Sequence, residues 1–469
     1  MPENYDIVIL GGGPGGYVAA IRSAQLGFKT AIIEKDNLGG VCLNWGCIPT
    51  KSLLKNAELY DLMKNRSADF GIKVDGLNFD FKKIIKRSRD VSTKITKGVD
   101  FLIKKNKIDH FHGFGKFISK NELEITDGDE KAINVVYGTN IIIATGARPK
   151  LLSSISLDRK NIITSSEAMI LQEPPKDLII IGGGAIGVEF AYFYSTFGTK
   201  VTIVEMMNSI VPNEDAEVSG TLTKVFRKRG IEIFTNSVVE SAEIKDDKVV
   251  ATINKNGERQ ELRAEKILNA IGVVGNIEGF GLEQLGIEIE IERNQIKVNK
   301  STYQTNIECI YAIGDVIGPP WLAHVASAEG IHCVEKIRGL NTPSIDYDSI
   351  PACTYCQPQI ASIGLTESKA ISAGYKVKIG KFPFSASGKS AAIGEREGFV
   401  KLIFDDKYGE LLGAHIIGSE ATELIAELSI IKSMEGTFEN LLKTIHAHPT
   451  LSESIIEAAA NAYGEAIHI

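Results

Sequence analysis

The sequence of 469 residues has few cysteines, no excess of basic charge and no recognisable export signal. Six cysteines are too few for the disulfide framework of a small secreted protein. The net charge of −7 lacks the basic excess that is typical of nucleic-acid-binding proteins, so we expect no nucleic-acid partner. The first ten residues carry neither a basic leading segment nor a small-residue cleavage site, and we therefore expect a cytoplasmic protein.

Long apolar runs are also scarce. The stretch Leu178–Gly198 contains only one charged residue, Glu189, and in this respect resembles a membrane span. Three consecutive glycines at 182–184 interrupt it, so the stretch reads better as a buried strand, a turn and a helix, and we expect no membrane span. The chain is too long for one hydrophobic core and predicts three or four globular domains.

A strand, a GxGxxG loop, a helix, a second strand and a terminal acidic residue occur twice in the same order. The first copy comprises the strand Asp6–Leu10, the glycines Gly11, Gly13 and Gly16, and the acid Glu34. The second copy comprises the strand Leu178–Ile181, the glycines Gly182, Gly184 and Gly187, and the acid Glu205. In both copies the acid follows the first glycine by 23 residues. A single loop of this kind is often accidental, but two in register predict two dinucleotide sites.

The residue types suit the binding of a dinucleotide. The first glycine makes a tight turn, the second lets a pyrophosphate approach the backbone, and the third lets the helix pack on the strand. The helix N-terminus then offers free N–H groups to the phosphates. Glu34 and Glu205 can each accept hydrogen bonds from a ribose diol, and no arginine follows Glu205 until Arg227, so the second site predicts NAD rather than NADP.

A third signal assigns the two cofactors. The segment Glu308–Asp315 predicts a strand that runs into a Gly-Asp pair, where the Asp315 carboxylate could hold a polyol hydroxyl. The ribitol chain of a flavin is such a polyol. We therefore expect FAD at the first site and NAD at the second.

Two cysteines, Cys42 and Cys47, lie just beyond the first dinucleotide motif. Their C-x4-C spacing differs from the C-x2-C of zinc and thioredoxin-like sites, and we expect no metal site. Pro49 suits the first turn of a helix, which places Cys47 near a helix N-terminus where a thiolate is favoured, and Lys51 adds a positive charge. We expect Cys47 to face the flavin and Cys42 to exchange with substrate.

Cys353 and Cys356 have the C-x2-C spacing but no second pair of ligands nearby in the sequence. They are most simply explained as packed strand residues, with an auxiliary thiol pair as the alternative.

The segment His446–Glu453 supplies a candidate base. A thiol is mostly protonated at neutral pH, so dithiol oxidation needs a proton acceptor, and histidine is the usual one. Pro449 is compatible with the start of the last helix, and a carboxylate five residues after His448 can orient its imidazole. Before this helix, strand-like runs after Ile350 predict an α+β tail.

These motifs together resemble the flavoprotein disulfide reductase family, and within it the dihydrolipoamide dehydrogenases. The resemblance covers the whole chain and rests on 39–51, Ala144–Gly146, Tyr311–Asp315, Leu322–His324 and 446–453. It implies an α/β fold with two Rossmann-like domains, for FAD and NAD, and a C-terminal α+β interface domain for dimerisation. The implied divisions are 1–148 (FAD, first part), 149–272 (NAD), 273–345 (central, completing the FAD site) and 346–469 (interface).

The resemblance also implies the reaction and its partners. Protein-bound dihydrolipoyl groups would be oxidised through a Cys42–Cys47 disulfide and FAD, and NAD+ would be reduced. The chain would form a homodimer in which each site takes His448 and Glu453 from the partner subunit. Its protein substrates would be the lipoyl domains of an acyltransferase subunit of a 2-oxoacid dehydrogenase complex, or the lipoylated carrier of the glycine cleavage system.

Further cofactor contacts are carried over by position. Those implied for FAD are Gly11, Gly13, Gly16, Glu34, Lys51, Gly115, Thr145, Gly146, Asp315 and Ala323, with Lys51 near flavin N5 and paired with Glu189. Those implied for NAD are Gly182, Gly184, Gly187, Glu205 and Gly272.

The sequence departs from the family at Val273, Gly275, Cys356 and Gln359, where Arg, Pro, Thr and Glu are common. These departures affect details of the NAD contacts and of the interface sheet.

Two related activities and one unrelated role are the alternatives. A glutathione-type reductase would have basic residues after Glu205, where Met206 and Met207 stand, and a mercuric reductase would add cysteines at the C-terminus. A non-catalytic flavoprotein would have no need of the cysteine pair or of His448 and Glu453.

Overall fold

The computed structural model describes residues 3–129 and 131–469 and divides into two compact units. The first unit comprises Met1–Ser52, Lys83–Lys150 and Gly272–Ile345, and the second comprises Leu53–Lys82, Leu151–Ile271 and Asp346–Ile469. Two helices, Cys47–Asp61 and Phe81–Lys105, contribute residues to both units.

A seven-stranded sheet forms the centre of the first unit. Its parallel part lies in the order Asp109–His112, Thr30–Glu34, Glu3–Leu10, Ala132–Ile143 and Ile310–Ala312. The antiparallel strands Glu122–Thr126 and Phe114–Phe117 extend it beyond the first half of Ala132–Ile143. The segments 7–10 and 30–33 of the first two strands are wholly buried, as expected of parallel strands covered on both faces.

Helices and short elements complete this unit. The helices are Pro14–Gln25, Gly40–Trp45, Leu282–Leu285 and Ala323–Ile337, with a 3-10 turn at Gly314–Ile317. Short strands pair Ala147–Pro149 with Val273–Gly275 and Ile289–Glu290 with Gln295–Ile296.

The second unit contains a second parallel sheet. Its five strands lie in the order Glu232–Phe234, Lys200–Val204, Asp177–Ile181, Lys266–Asn269 and Ile162–Ile163. An antiparallel sheet of Ser237–Lys245, Lys248–Lys255 and Glu258–Ala264 belongs to the same part of the chain. The helices of this part are Ser165–Ala168, Ala185–Thr196 and Ala216–Lys228, and a π-helical turn and a 3-10 turn cover Leu62–Arg66 and Ser67–Phe70.

The C-terminal part of the second unit is a five-stranded antiparallel sheet with helices on it. The strand order is Ala352–Thr354, Gln359–Gly364, Leu411–Gly418, Phe399–Asp405 and Val377–Pro383. Helices Ala421–Ser433 and Glu453–Ala462 share a buried apolar core with the sheet. The remaining elements are the helices Glu367–Ser372, Gly388–Ile393 and Phe438–Lys443 and the 3-10 turns Tyr347–Ser349 and Phe384–Ala386.

The predicted fold class is confirmed: two Rossmann-like parts and a C-terminal α+β part are present. The four-domain division stays a prediction. No helix among the described residues is both long enough and apolar enough to cross a membrane.

The predicted start of the last helix was wrong. The last helix begins at Glu453, four residues after Pro449. The Glu453 carboxylate accepts a hydrogen bond from the Thr450 N–H (2.7 Å), and this bond closes a turn ahead of the helix.

Candidate active site

The two glycine loops have matching geometry. Gly11 and Gly182 both adopt a positive φ, at 110° and 102°. A Cβ atom at Gly11 would overlap the Ala144 carbonyl oxygen, and one at Gly182 would overlap the equivalent oxygen of Ala270. The first glycine of each loop is therefore required by the turn itself.

The third and second glycines of each loop differ in what surrounds them. A Cβ atom at Gly16 or Gly187 would overlap the carbonyl oxygen of the first glycine in its loop. A Cβ atom at Gly13 would meet nothing closer than Gly40 Cα at 4.0 Å, and at Gly184 it would meet nothing within 4 Å. Packing of the protein itself explains the third glycine but not the second, which leaves space for a ligand to approach.

The helices that follow these loops offer unsatisfied donors. Gly13 caps helix Pro14–Gln25 and Gly184 caps helix Ala185–Thr196, and neither helix has a side-chain hydrogen bond at its N-cap. Backbone N–H groups at such an end, with the positive end of the helix dipole, favour phosphate. The residues present therefore fit a dinucleotide at each loop.

The two acids hold the loops in place, a role that the sequence did not predict. One oxygen of Glu34 accepts from the Gly12 N–H (2.6 Å) and the other from the Asp36 N–H (2.8 Å). Glu205 accepts in the same way from the Gly183 N–H (2.6 Å) and the Met207 N–H (2.7 Å).

Asp315 lies where the strand Ile310–Ala312 gives way to the 3-10 turn Gly314–Ile317. Gly314 has φ of 71°, and its N–H donates to the buried Glu329 carboxylate (2.7 Å), which fixes the turn. Burial raises the pKa of Asp315 to about 6. A carboxylate whose charge is poorly solvated gains from a hydroxyl donor, and this agrees with the predicted polyol contact.

Four other predicted FAD contacts lie in the same unit. Thr145 Oγ1 donates to the Asn276 carbonyl (2.7 Å), and the Asn276 N–H donates to the Gly146 carbonyl (2.9 Å). Ala323 begins the helix Ala323–Ile337. A Cβ at Gly115 would crowd Leu10, so packing inside the sheet is sufficient to explain this glycine.

The cysteine segment packs directly on the first glycine loop. The Gly39 N–H donates to the Gly12 carbonyl (2.7 Å), and Gly40 lies so close to Gly13 that a Cβ at Gly40 would come within 2.6 Å of Gly13 Cα. Cys42 follows in the helix Gly40–Trp45, and Cys47 is the first residue of the helix Cys47–Asp61, as predicted.

The structure brings Cys42 and Cys47 together. Their side chains form a hydrogen bond, which is the largest cause of a raised pKa at the Cys42 thiol; burial adds to the rise and Lys51 opposes it. The neighbouring Cys47 therefore makes the Cys42 thiol harder to ionise than an ordinary thiol.

A brace from the helix Phe81–Lys105 holds this segment, and sequence reasoning missed it. Ser92 Oγ donates to the Leu43 carbonyl (2.6 Å), Thr96 Oγ1 to Asn44 Oδ1 (3.0 Å) and Arg89 to the Asn44 carbonyl (2.5 Å). The brace residues lie 45 to 52 positions from Asn44. The only signal for the brace in the sequence is the i, i+4 spacing of Ser92 and Thr96, which places both on one face of the helix.

The second unit contains the predicted base and its partner. His448 Nδ1 lies 2.8 Å from Glu453 Oε1, and the His448 side chain is 80% exposed. Partial burial of Glu453 opposes its ionisation, but the Thr450 N–H and His448 outweigh it, so the pKa of Glu453 lies below its ordinary value. The carboxylate thus orients the ring and leaves Nε2 exposed to solvent.

His446 has a different environment from His448. Its Nε2 lies 2.6 Å from Glu427 Oε1, its Nδ1 is 3.1 Å from the Thr444 carbonyl, and the side chain is only 7% exposed. Both ring nitrogens are therefore engaged within the protein, and His448 is the better candidate for a base.

The remaining predicted positions are distributed between the units. Lys51 belongs to the first unit with both cysteines, whereas Glu189, His448 and Glu453 belong to the second. Glu189 is buried and accepts from the Tyr355 N–H (2.9 Å), and its pairing with Lys51 stays a prediction. Gly272 belongs to the first unit and has φ of 113°.

Two unusual positions have structural explanations. A Cβ at Gly275 would overlap the Asn294 carbonyl oxygen, so a side chain is excluded there. Cys356 is fully buried and its thiol donates to the Pro358 carbonyl (3.3 Å), which agrees with the packing role. In the part of the chain that the structure describes, no cluster of three or more His, Cys, Asp or Glu side chains suits a metal ion.

Comparison with known proteins agrees with this geometry. Residues 5–330 match the model of the pyridine nucleotide-disulphide oxidoreductases, and residues 350–459 match the dimerisation domain of the same family. The dihydrolipoyl dehydrogenase of Rhizobium etli is 46% identical, with both chains covered completely, and that of Bacillus subtilis is 44% identical with the same coverage.

Solved structures show the same architecture. LpdA from Mycobacterium tuberculosis superposes with a TM-score of 0.90 at 27% identity, covering 97% of this chain and 99% of that one. The HOCl-induced flavoprotein disulfide reductase RclA from Escherichia coli, as its Cu(II) complex, gives 0.88 at 26% identity, covering 98% and 99%. The chain belongs to the pyridine nucleotide-disulphide oxidoreductase family.

Proposed function

We propose that this protein catalyses the dihydrolipoyl dehydrogenase reaction, in which protein-bound dihydrolipoyl groups are oxidised to lipoyl groups and NAD+ is reduced. The observation that carries the proposal is the hydrogen-bonded Cys42–Cys47 pair, packed against a dinucleotide loop through Gly39 and Gly40. A dithiol in this place can exchange with a substrate dithiol and is close to a redox cofactor. The name of two relatives that match over the full length, dihydrolipoyl dehydrogenase, supports lipoyl chemistry.

FAD at the first loop and NAD at the second account for both glycine motifs. Gly13 and Asp315 would hold the first cofactor, and Gly184 and Glu205 the second. FAD, when bound, supplies a carrier that accepts two electrons from a dithiol and passes them to NAD+. Absence of basic residues at Met206 and Met207 supports NAD over NADP as the acceptor.

The thiol chemistry follows from the side chains. In the oxidised enzyme Cys42 and Cys47 form a disulfide, and a substrate thiolate attacks Cys42. The S–S bond breaks, and Cys47 leaves as the thiolate. The second substrate thiolate displaces Cys42, which leaves a substrate disulfide and an enzyme dithiol. When Cys42 and Cys47 re-form their disulfide, they give up two electrons and two protons; NAD+ gains the two electrons and one proton to become NADH, and the other proton goes to solvent.

His448 would accept the thiol proton. Its exposed Nε2 and its Glu453 partner give an imidazole base that is held in one orientation. We propose a homodimer in which His448 of the partner subunit serves each cysteine pair. The dimerisation-domain match and the exposed apolar side chains Ile430, Met434 and Ile445 support an interface in this part of the chain.

Anaerobic titration of the purified flavoprotein with dihydrolipoamide tests the proposal. We expect long-wavelength absorbance from a thiolate beside the flavin, and NADH once NAD+ is added. Cys42→Ser should retain FAD and lose dihydrolipoamide oxidation by more than about 10³-fold, because the attacked sulfur is gone. Cys353→Ser is the control and should keep full activity.

Two results would overturn the assignment. A preference for NADPH with glutathione disulfide as the substrate would favour a glutathione-type reductase. A flavin-loaded dimer that forms no NADH from dihydrolipoamide would favour a non-catalytic flavoprotein.

A further inference from the structure

The helix Phe81–Lys105 carries a charge opposite to that of the rest of the chain. It contains nine basic and two acidic residues, a net charge of +7 in a protein whose net charge is −7. The other residues together therefore carry −14. This helix is therefore a strongly positive segment in an acidic protein. Its electric field would act on anionic partners over about a Debye length, roughly 8–10 Å.

The two faces of this helix have different contacts. One face carries the brace residues Ser92 and Thr96, which hold the cysteine segment, and the core residues Val99 and Ile103. The opposite face is exposed and is here called the basic face; its residues are Lys83, Lys86, Arg87, Lys94, Lys97, Phe101, Lys104 and Lys105.

Two central lysines of the basic face, Lys94 and Lys97, are not compensated by an ion pair among the described residues. Lys86 forms an ion pair with Asp90 on the same helix (2.6 Å). Lys94 and Lys97 form no ion pair with any residue in 3–129 or 131–469. Phe101, 63% exposed, lies among them and supplies an apolar contact. Unpaired cations around an exposed aromatic ring resemble the polar rim and apolar centre of a protein interface.

We propose that the basic face docks an acidic carrier domain that bears the dihydrolipoyl-lysine substrate. This inference rests on the proposed function. The dihydrolipoyl arm itself is uncharged, so the enzyme can attract it from a distance only through charges on the carrier that surround it. Because the other side of the same helix holds the segment with Cys42, a carrier attracted to this helix is brought to the part of the enzyme where its thiols react.

The alternative occupant, a nucleic acid, fits less well. The remaining residues of the chain carry a net charge of −14 and repel a long polyanion, whereas a small acidic domain needs only the one helix. The experiment below distinguishes the two.

Two defined substrates test the proposal with the FAD-loaded enzyme. Both are short peptides with one dihydrolipoyl-lysine, flanked by four glutamates in the acidic peptide and by four glutamines in the neutral one. We expect the acidic peptide to have a kcat/KM about tenfold higher at low ionic strength, through a lower KM, and this advantage should disappear at high salt. Lys94→Glu with Lys97→Glu should abolish or reverse the advantage and leave kcat/KM for free dihydrolipoamide unchanged.

A matched variant controls for net charge. Lys255→Glu with Lys376→Glu makes the same change in charge on exposed lysines of the second unit and should retain the advantage of the acidic peptide. Equal KM values for the two peptides, or equal effects of the two double variants, would overturn the proposal. Tight binding of a 20-nucleotide DNA without preference between the peptides would do so as well, in favour of a nucleic acid. Failure to oxidise free dihydrolipoamide would instead reject the proposed function.

Discussion

The two glycine loops share one geometry and differ in what the chain does next. In the first, the segment after Glu34 returns to the loop, where the Gly39 N–H donates to the Gly12 carbonyl (2.7 Å). In the second, the segment after Glu205 returns in the same way, and the Val211 N–H donates to the Gly183 carbonyl (2.8 Å). In both loops the returning segment is therefore held by the same kind of backbone hydrogen bond.

Beyond this bond the two segments diverge. The first enters the glycine-rich turn and the helices Gly40–Trp45 and Cys47–Asp61, which carry the two cysteines proposed for the redox chemistry. The second continues to Asp215, which caps the helix Ala216–Lys228 through the Glu217 N–H (3.0 Å). A Cβ atom placed at Gly184 would also meet nothing within 4 Å, whereas one at Gly13 would lie 4.0 Å from Gly40 Cα. A more open loop suits a cofactor that must leave after each turnover.

The glycines offer the largest expected effect. Gly16→Ala and Gly187→Ala should each lower the free energy of unfolding by about 3 kcal/mol, because the added methyl group overlaps a backbone carbonyl. The matched changes Gly13→Ala and Gly184→Ala should leave the fold intact and weaken only FAD or only NADH binding, respectively. Urea unfolding, flavin absorbance and NADH titration measure these outcomes; a Gly13→Ala enzyme with full FAD content would contradict the ligand role of the middle glycine.

Asp315, which we propose to serve only the site at the first loop, predicts a pH dependence. Burial raises its pKa from 3.8 to about 6, so the folded FAD-free protein binds this proton more tightly than the unfolded chain. Below pH about 4, Asp315 therefore does not lower the free energy of unfolding. As the pH rises through about 6, its ionisation lowers that free energy by at most about 3 kcal/mol.

Asp315→Asn removes this cost. The FAD-free variant should equal the parent in stability at pH 4 and exceed it at pH 8, while its affinity for FAD falls. Thermal unfolding of both proteins across this range is the measurement, and a stability difference that does not change with pH would exclude the titration of Asp315.

The two acids should differ in energy although their bonds match. Glutamine at either position places an amide N–H against a backbone N–H and costs about 1–2 kcal/mol of stability. The loss should be larger for Glu205→Gln, because Glu205 is buried and Glu34 is half-exposed. Urea unfolding of the two variants gives the comparison; a larger loss at Glu34 would show that burial does not set the difference.

The smallest effect concerns cofactor choice. Met206 is exposed directly after Glu205, so Met206→Arg should improve the use of NADP+ relative to NAD+ by about fivefold, through an exposed contact with the additional phosphate. Met206→Gln, which adds no charge, is the control. An equal change in the use of NADP+ relative to NAD+ in both variants would show that the added charge is not the cause.

Much of the secondary structure of the two dinucleotide motifs could be predicted, because the sequence signals for it are local. The strand ends, the two helices and the glycine stops at Gly27 and Gly198, both with positive φ, occur within a few residues of where the pattern predicts them. The start of a helix at Cys47 is local as well, since it depends on Pro49 two residues later.

Contacts between distant segments were not predictable. The brace from Ser92 and Thr96 and the anchoring of Gly314 by Glu329 join residues that are separated by 15 to 52 positions and have ordinary neighbours in the sequence. The start of the last helix was misplaced for a related reason, because the Glu453 side chain is used to close the preceding turn. A single sequence carries no signal from which such contacts between distant residues can be predicted.

The close approach of Gly40 to Gly13 ties the position of the cysteine segment to that of the first glycine loop. A methyl group at position 40, or a residue inserted between Glu34 and Gly39, would displace both at once. Transplanting a reactive dithiol into another Rossmann protein therefore means carrying over Gly39 and Gly40 with the cysteines, since the sulfur atoms obtain their position from the backbone of the nucleotide site.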